Sequence, residues 1–192
     1  MTRLEGVNDQ APDSVTLHTT AGKFMDDWCT MPATRNQTGV NAQLDCNVLV
    51  NSNAGCGVLL SGSLNYGPQF NTNGGGWYAI ERTTDHISIW FWPRNDPTVP
   101  REVKKGTSSI NPRQWGIPAA YFPNTSCDLN KFFEEHNIII NLTLCGDWAG
   151  NAYPQASCPS TCIDHVNSDP AAFTDAYFDF AAVRIYEPSQ LT

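Results

Sequence analysis

Six stretches of strand length, SVTLHTT, CGVLL, GWYAIERT, HISIWFW, NIIINLTL and AYFDFAAVRIYE, run along this chain between turns rich in Gly, Pro and Asn. Alternating or continuously apolar runs of this length, bounded by turn-forming residues, predict β-strands. Almost nothing of helical length lies between them, which argues against parallel strands joined by helical crossovers and for an antiparallel all-β sandwich. Helix is confined to two short candidates. In DLNKFFEEH, Asp128 stands at the N-cap position and Phe132 and Phe133 can pack inward. In PAAFTDA, Pro170 falls in the first turn. With 192 residues, 41% of them hydrophobic, the chain can bury one good core, and nothing in it divides into two, so residues 1–192 are expected to form a single domain.

Period-two alternation in HISIWFW places Ile87, Ile89 and Phe91 on one face and Ser88, Trp90 and Trp92 on the other. One face therefore reads as core and the other as aromatic. Two readings of Trp90 and Trp92 follow. Broad indoles two residues apart can lie flush on a sheet, as a platform for sugar rings, or they can pack beneath a loop or a second sheet. The three glycines of NTNGGGWYAIERT suit a tight turn feeding a strand. They are not a phosphate loop, because no Gly-Lys-Ser/Thr follows and no helix opens after them.

Seven cysteines in a Gly- and Pro-rich chain suit an oxidising compartment and leave one without an intramolecular partner. Cys158 and Cys162 form a local pair whose CxxxC spacing reads as a disulfide; with four His and no second cluster nearby, a metal site is not expected, and neither is a cofactor. Sequons at Asn36, Asn124 and Asn141 add to a secreted, glycosylated reading. The formal net charge of −8 repels phosphate backbones and anionic lipid, so neither nucleic acid nor a membrane surface is an expected partner, whereas a neutral polysaccharide is compatible. The longest apolar run, IIINLTL, is too short to span a bilayer, and the N-terminus has no stretch resembling a signal peptide.

The segments LEGVNDQ, LHTT, GGGWYAIERT, WFWPRN, NIIINLTLCGDWAG and VRIY occur in an order found in one family. From about Leu4 to Tyr186 the chain resembles the catalytic domain of glycoside hydrolase family 16, of the fungal laminarinase or endo-1,3(4)-β-glucanase type. The resemblance implies a concanavalin-like β-jelly roll with few short helices, whose concave sheet binds a β-glucan. It also implies retaining hydrolysis by the strand motif Glu-x-Asp-x-x-Glu, whose two glutamates must stand about 5–5.5 Å apart.

By that resemblance Glu5 is the last residue of the motif, the general acid/base. The supporting Asp would fall where Thr2 stands, and the nucleophile one position before Met1. The expectation is therefore an N-terminally truncated domain, lacking its first strands, inactive alone, monomeric if folded, and derived from a secreted parent. His18 is expected beside the acid/base and Trp148, in CGDWAG, as a wall of the sugar site. Asn8 has a weaker claim as a sugar contact and a stronger one as a turn former. Trp90 and Trp92 are candidate stacking residues. The rival readings are a noncatalytic β-glucan-binding protein and a mis-started gene product.

Overall fold

The computed structural model of the chain describes residues 2–20 and 28–188. Among the described residues, seven strands form two antiparallel sheets. In the first, β1 (Thr2–Glu5), β2 (Ser14–Leu17), β4 (Cys56–Leu59) and β3 (Val40–Asn41) lie side by side in the order β1-β2-β4-β3. In the second, β5 (Gly76–Arg82), β6 (His86–Pro93) and β7 (Ala120–Pro123) follow one another. The β5–β6 hairpin is closed by Thr83, whose hydroxyl accepts hydrogen bonds from the Asp85 and His86 amides at 3.1 and 3.0 Å. Such side-chain bonds hold a turn that the backbone alone leaves open.

The sheets face each other across a shared core. Val15, Leu17 and Val58 enter it from the first sheet, and Ile87, Ile89 and Phe122 from the second, all at 1% exposure or less. The alternation read in HISIWFW is thereby realised, with Ile87 and Ile89 inward. Among the described residues, four short α-helices accompany the sheets: α1 (Gly67–Thr72), α2 (Arg101–Lys105), α3 (Leu129–Phe132) and α4 (Cys162–Ser168). The carboxylate of Asp128 caps α3 by accepting from the Asn130 and Lys131 amides, and Phe133, just past its end, is buried in the core. Residues Pro170–Phe173 form a 3-10 turn with proline in its first turn.

Two expectations from sequence are corrected here. NIIINLTL and AYFDFAAVRIYE do not form strands: residues 137–144 and 176–187 join neither sheet, and Ile139 and Ile185 are each 74% exposed. A strand needs a neighbour for its amides and a cover for its apolar face, and β-forming residues without both do not order into a ladder. The second correction concerns the cysteines. Disulfides join Cys29 to Cys127, Cys46 to Cys56 and Cys145 to Cys162, and the Cys158 thiol is free. Cys162 thus pairs with a residue 17 positions away, across a loop that folds back on itself, and not with its near neighbour. Pairing follows Cα approach in space, which a four-residue spacing does not report.

Candidate active site

Register decides where Glu5 points. Across β1 and β2, Leu4 stands opposite Val15 and Glu5 opposite Ser14. Because Val15 and Leu17 enter the core, the alternate residues Glu5, Ser14 and Thr16 face the other side of the first sheet. Glu5 ends β1, and its carbonyl accepts a hydrogen bond from the Ser14 hydroxyl at 3.1 Å. The imidazole of His18, immediately beyond β2, lies on the same face. Its Nε2 stands 3.7 Å from Glu5 Oε2, with the His18 side chain 9% and the Glu5 side chain 25% exposed.

The turn after Glu5 is held from beneath. A methyl group at Gly6 would meet the ring of Tyr66 at 2.6 Å, and one at Gly67 would meet the Asp9 carbonyl oxygen at 2.7 Å. The turn reverses through Asn8 and Asp9, whose φ values are 52° and 58°. This left-handed conformation is one that Asn and Asp tolerate better than most residues. From it the Asn8 side-chain amide donates to the carbonyl oxygen of Ala149 at 2.8 Å.

Ala149 belongs to a π-helical turn, Gly146–Gly150, that also carries the half-exposed Trp148. Together these elements enclose a cleft of about 250 Å³ lined by Glu5, Asn8, Gln10, Trp148 and Gln155, among others. Glu5 is the one carboxylate among the described residues that line it. The structure thus brings together Glu5, Asn8 and Trp148 around one cleft, with His18 against Glu5. A protonated carboxyl at this edge can hand its proton to an oxygen of a sugar resting on the indole.

Trp90 and Trp92 are not part of this arrangement. They project from the second sheet on the face away from the core, and so lie on the opposite side of the sandwich from Glu5. They are 5% and 6% exposed, with the ring of Trp115 packed edge-on at 5.2 and 5.8 Å. The Trp90 indole donates to the Gly116 carbonyl, and Glu102 of α2 accepts from the Trp115 indole at 2.7 Å. Of the two readings of these residues, packing beneath a loop is the one observed, and neither indole offers an open face for a sugar to stack on. Alternation tells which residues share a face but not which face borders the cleft.

A residue that the sequence reading passed over is Asp13. It is 4% exposed, its Oδ1 accepts from the Ser14 amide at 2.9 Å, and its Oδ2 accepts from the Tyr78 hydroxyl at 3.3 Å. Its own amide donates to Asn65 Oδ1 at 2.7 Å. Burial pushes its carboxyl up to about 7; the bonds from Ser14 and Tyr78 oppose this, and the nearby charge of Glu5 adds to it. Its side-chain partner Tyr78 lies 65 residues away, so no local pattern marks it.

Comparison with known proteins identifies the family. A family model described as "XgeA-like, catalytic GH16 domain" matches residues 3–186. A probable glycosidase of Schizosaccharomyces pombe is 40% identical over 187 residues, covering 96% of this chain and 42% of that protein. An endo-1,3(4)-β-glucanase of Arthroderma benhamiae is 35% identical over 192 residues, covering 96% and 40% respectively. Among solved structures, laminarinase 16A of Phanerochaete chrysosporium, with 6-O-glucosyl-laminaritriose in donor and acceptor sites, superposes at a TM-score of 0.85 and 50% identity. That match covers 90% of this chain and 57% of that one. An elongating family 16 β-1,3-glucosyltransferase superposes at 0.76 with 34% identity and the same coverage. The chain thus spans well under half the length of these two curated relatives. The family model, the relatives and the fold lead to one assignment: the chain belongs to glycoside hydrolase family 16.

Proposed function

We propose that this chain supplies the acid/base side of a retaining active site of the endo-1,3(4)-β-glucanase type, acting on β-1,3 or mixed β-1,3/1,4 glucans. The observation that carries this reading is the one cleft lined by both Glu5 and Trp148, with His18 set against Glu5. In the first step the Glu5 carboxyl gives its proton to the glycosidic oxygen as the bond from that oxygen to the anomeric carbon breaks. A second carboxylate meanwhile forms an ester to that carbon. In the second step Glu5, now ionised, takes a proton from water, whose oxygen displaces the ester. His18 keeps the Glu5 carboxylate oriented, and the Trp148 indole offers a flat apolar face to a pyranose ring.

Residues 1–192 supply the last Glu of the motif, Glu5, and the members of such a carboxylate pair act as a unit. Residues 1–192 by themselves are therefore proposed to hydrolyse glucan negligibly. Three disulfides suit a protein working in an oxidising, extracellular setting. The test is reducing-sugar release from laminarin and barley β-glucan. It compares residues 1–192, a polypeptide in which a complete Glu-x-Asp-x-x-Glu strand runs in frame into Leu4 and Glu5, and the Glu5→Gln form of the latter. Activity is expected in the second alone; equal activity in all three overturns the role of Glu5.

The half-exposed indole of Trp148 also supports a second reading, in which residues 1–192 bind β-glucan without cleaving it. Saturable binding of laminarin by this chain, lost in Trp148→Ala and unaccompanied by reducing-sugar release, would favour that reading.

A further inference from the structure

Around the cleft, one hydrogen bond joins two elements of different character. On one side is the turn after Glu5, seated against Tyr66 and Gly67 with no room for a methyl group at Gly6 or Gly67. On the other is the loop from Cys145 to Cys162, closed at its base by their disulfide and carrying Trp148 near its start. Asn8 reaches from the first to the second, its amide donating to Ala149 at 2.8 Å over a separation of 141 residues. We propose that Asn8 is a positioning residue that fixes the Trp148 wall relative to the strand bearing Glu5, and that it does not bind the sugar itself. This rests on the functional reading above and deepens it.

Two properties are needed at position 8, and asparagine has both. The backbone is left-handed there, with φ of 52°, which Asn, Asp and Gly adopt most readily. The side chain must donate to a carbonyl, which Asp and Gly cannot do. The amide nitrogen that would otherwise meet a sugar hydroxyl is directed at Ala149. The Asn8 backbone carbonyl accepts from Gln10 at 3.3 Å. A sugar lying on Trp148 presents its linkage oxygen to Glu5 only while wall and strand keep their spacing, and a displacement of about 1 Å can lower a rate about a hundredfold.

The test uses Asn8→Asp, which keeps size and backbone preference but replaces the donor with an acceptor, and Asn8→Gly, which keeps only the backbone preference. Hydrogen exchange of peptides covering residues 146–156 is measured without ligand, with the β5–β6 hairpin as the internal standard of folding. Loss of one such bond is expected to speed exchange in that loop about five- to tenfold in both variants, with the hairpin unchanged. If Asn8→Asp does not fold, Asn8→Gly decides the outcome. In parallel, laminarihexaose is titrated against intrinsic fluorescence, with Trp148→Phe identifying the part of the signal due to Trp148. The Asn8 variants should weaken the titration in the wild-type background and add nothing in the Trp148→Phe background. Weakened binding with unchanged loop exchange would overturn the proposal and make Asn8 a sugar contact; unchanged exchange and unchanged binding would overturn it outright. If the loop loosens while the unsubstituted chain gives no Trp148-dependent signal, the tether stands and it is the glucan reading that falls.

Discussion

Gly55 lies beneath the imidazole of His18: a methyl group at position 55 would stand 3.1 Å from His18 Nδ1 and 2.5 Å from the Leu17 carbonyl oxygen. The glycine itself is at φ +65°, a conformation that costs other residues about 1–3 kcal/mol. Gly55→Ala is therefore expected to lower stability by at least about 1 kcal/mol and to displace His18 from Glu5. Thermal denaturation reads the first effect. The second is read by the pH profile of glucan cleavage in the polypeptide carrying the whole motif. A variant that melts and titrates like the parent would contradict both.

Glu5→Gln should act selectively. The amide preserves shape but cannot protonate a departing oxygen, and general acid catalysis of this kind contributes about 10² to 10⁴-fold. In the polypeptide carrying the whole motif, cleavage of laminarin should fall by that factor. Formation of the ester from an activated aryl glucoside, whose leaving group needs no proton, should fall far less. Equal losses on both substrates would assign Glu5 a structural role.

Asp13 makes stability depend on pH with a definite sign. Its carboxyl is raised from 3.8 to about 7 in the folded chain, so between those values the native state holds a proton that the unfolded state has released. Stability from this group is full below about pH 4 and is lost as the pH rises towards 7, by an amount on the order of 4 kcal/mol when ionisation is complete. Asp13→Asn removes the titration while keeping an acceptor for the Ser14 amide. Melting temperatures of the parent and the variant should converge at pH 4 and separate by pH 8, with the variant flatter across the range. Parallel curves would mean that the buried carboxyl is not the group titrating.

The segments at 137–144 and 176–187 carry uncovered apolar side chains, with Ile138, Leu142, Phe178 and Val183 each more than half exposed. Strand-forming sequence in that state is prone to pair with another copy. Residues 1–192 alone should self-associate as concentration rises, and Ile139→Lys combined with Ile185→Lys should suppress this. Light scattering and size-exclusion chromatography provide the readout. A monomeric parent with a sharp calorimetric melt would show that these segments find cover in solution.

What could be read from sequence depended on how locally each feature is determined. The β6 alternation and the Asp128 cap were legible because their defining contacts lie within a few residues. Residues 137–144 and 176–187 carry an equally clear β signal, but whether such a signal becomes a strand depends on a neighbour elsewhere. The alternation of β6 sets Trp90 and Trp92 on the face opposite Ile87 and Ile89 but says nothing of their side relative to Glu5, since a two-residue period fixes relative but not absolute orientation. Glu5, His18 and Trp148 stood out through family resemblance; composition alone makes Glu5 an ordinary surface acid. Asp13 and the Asn8–Ala149 bond join residues far apart in sequence, and no periodicity encodes such pairs.

The packed aromatic layer of Trp90, Trp92 and Trp115 gives the molecule a back. Helix α2, with Lys104 and Lys105 exposed, sits over that layer on the side of the sandwich away from Glu5. A support or a fluorescent label attached there would leave the cleft facing open solution. Immobilised through α2, the protein could meet a polymer many times its own length without its anchoring competing for the same surface.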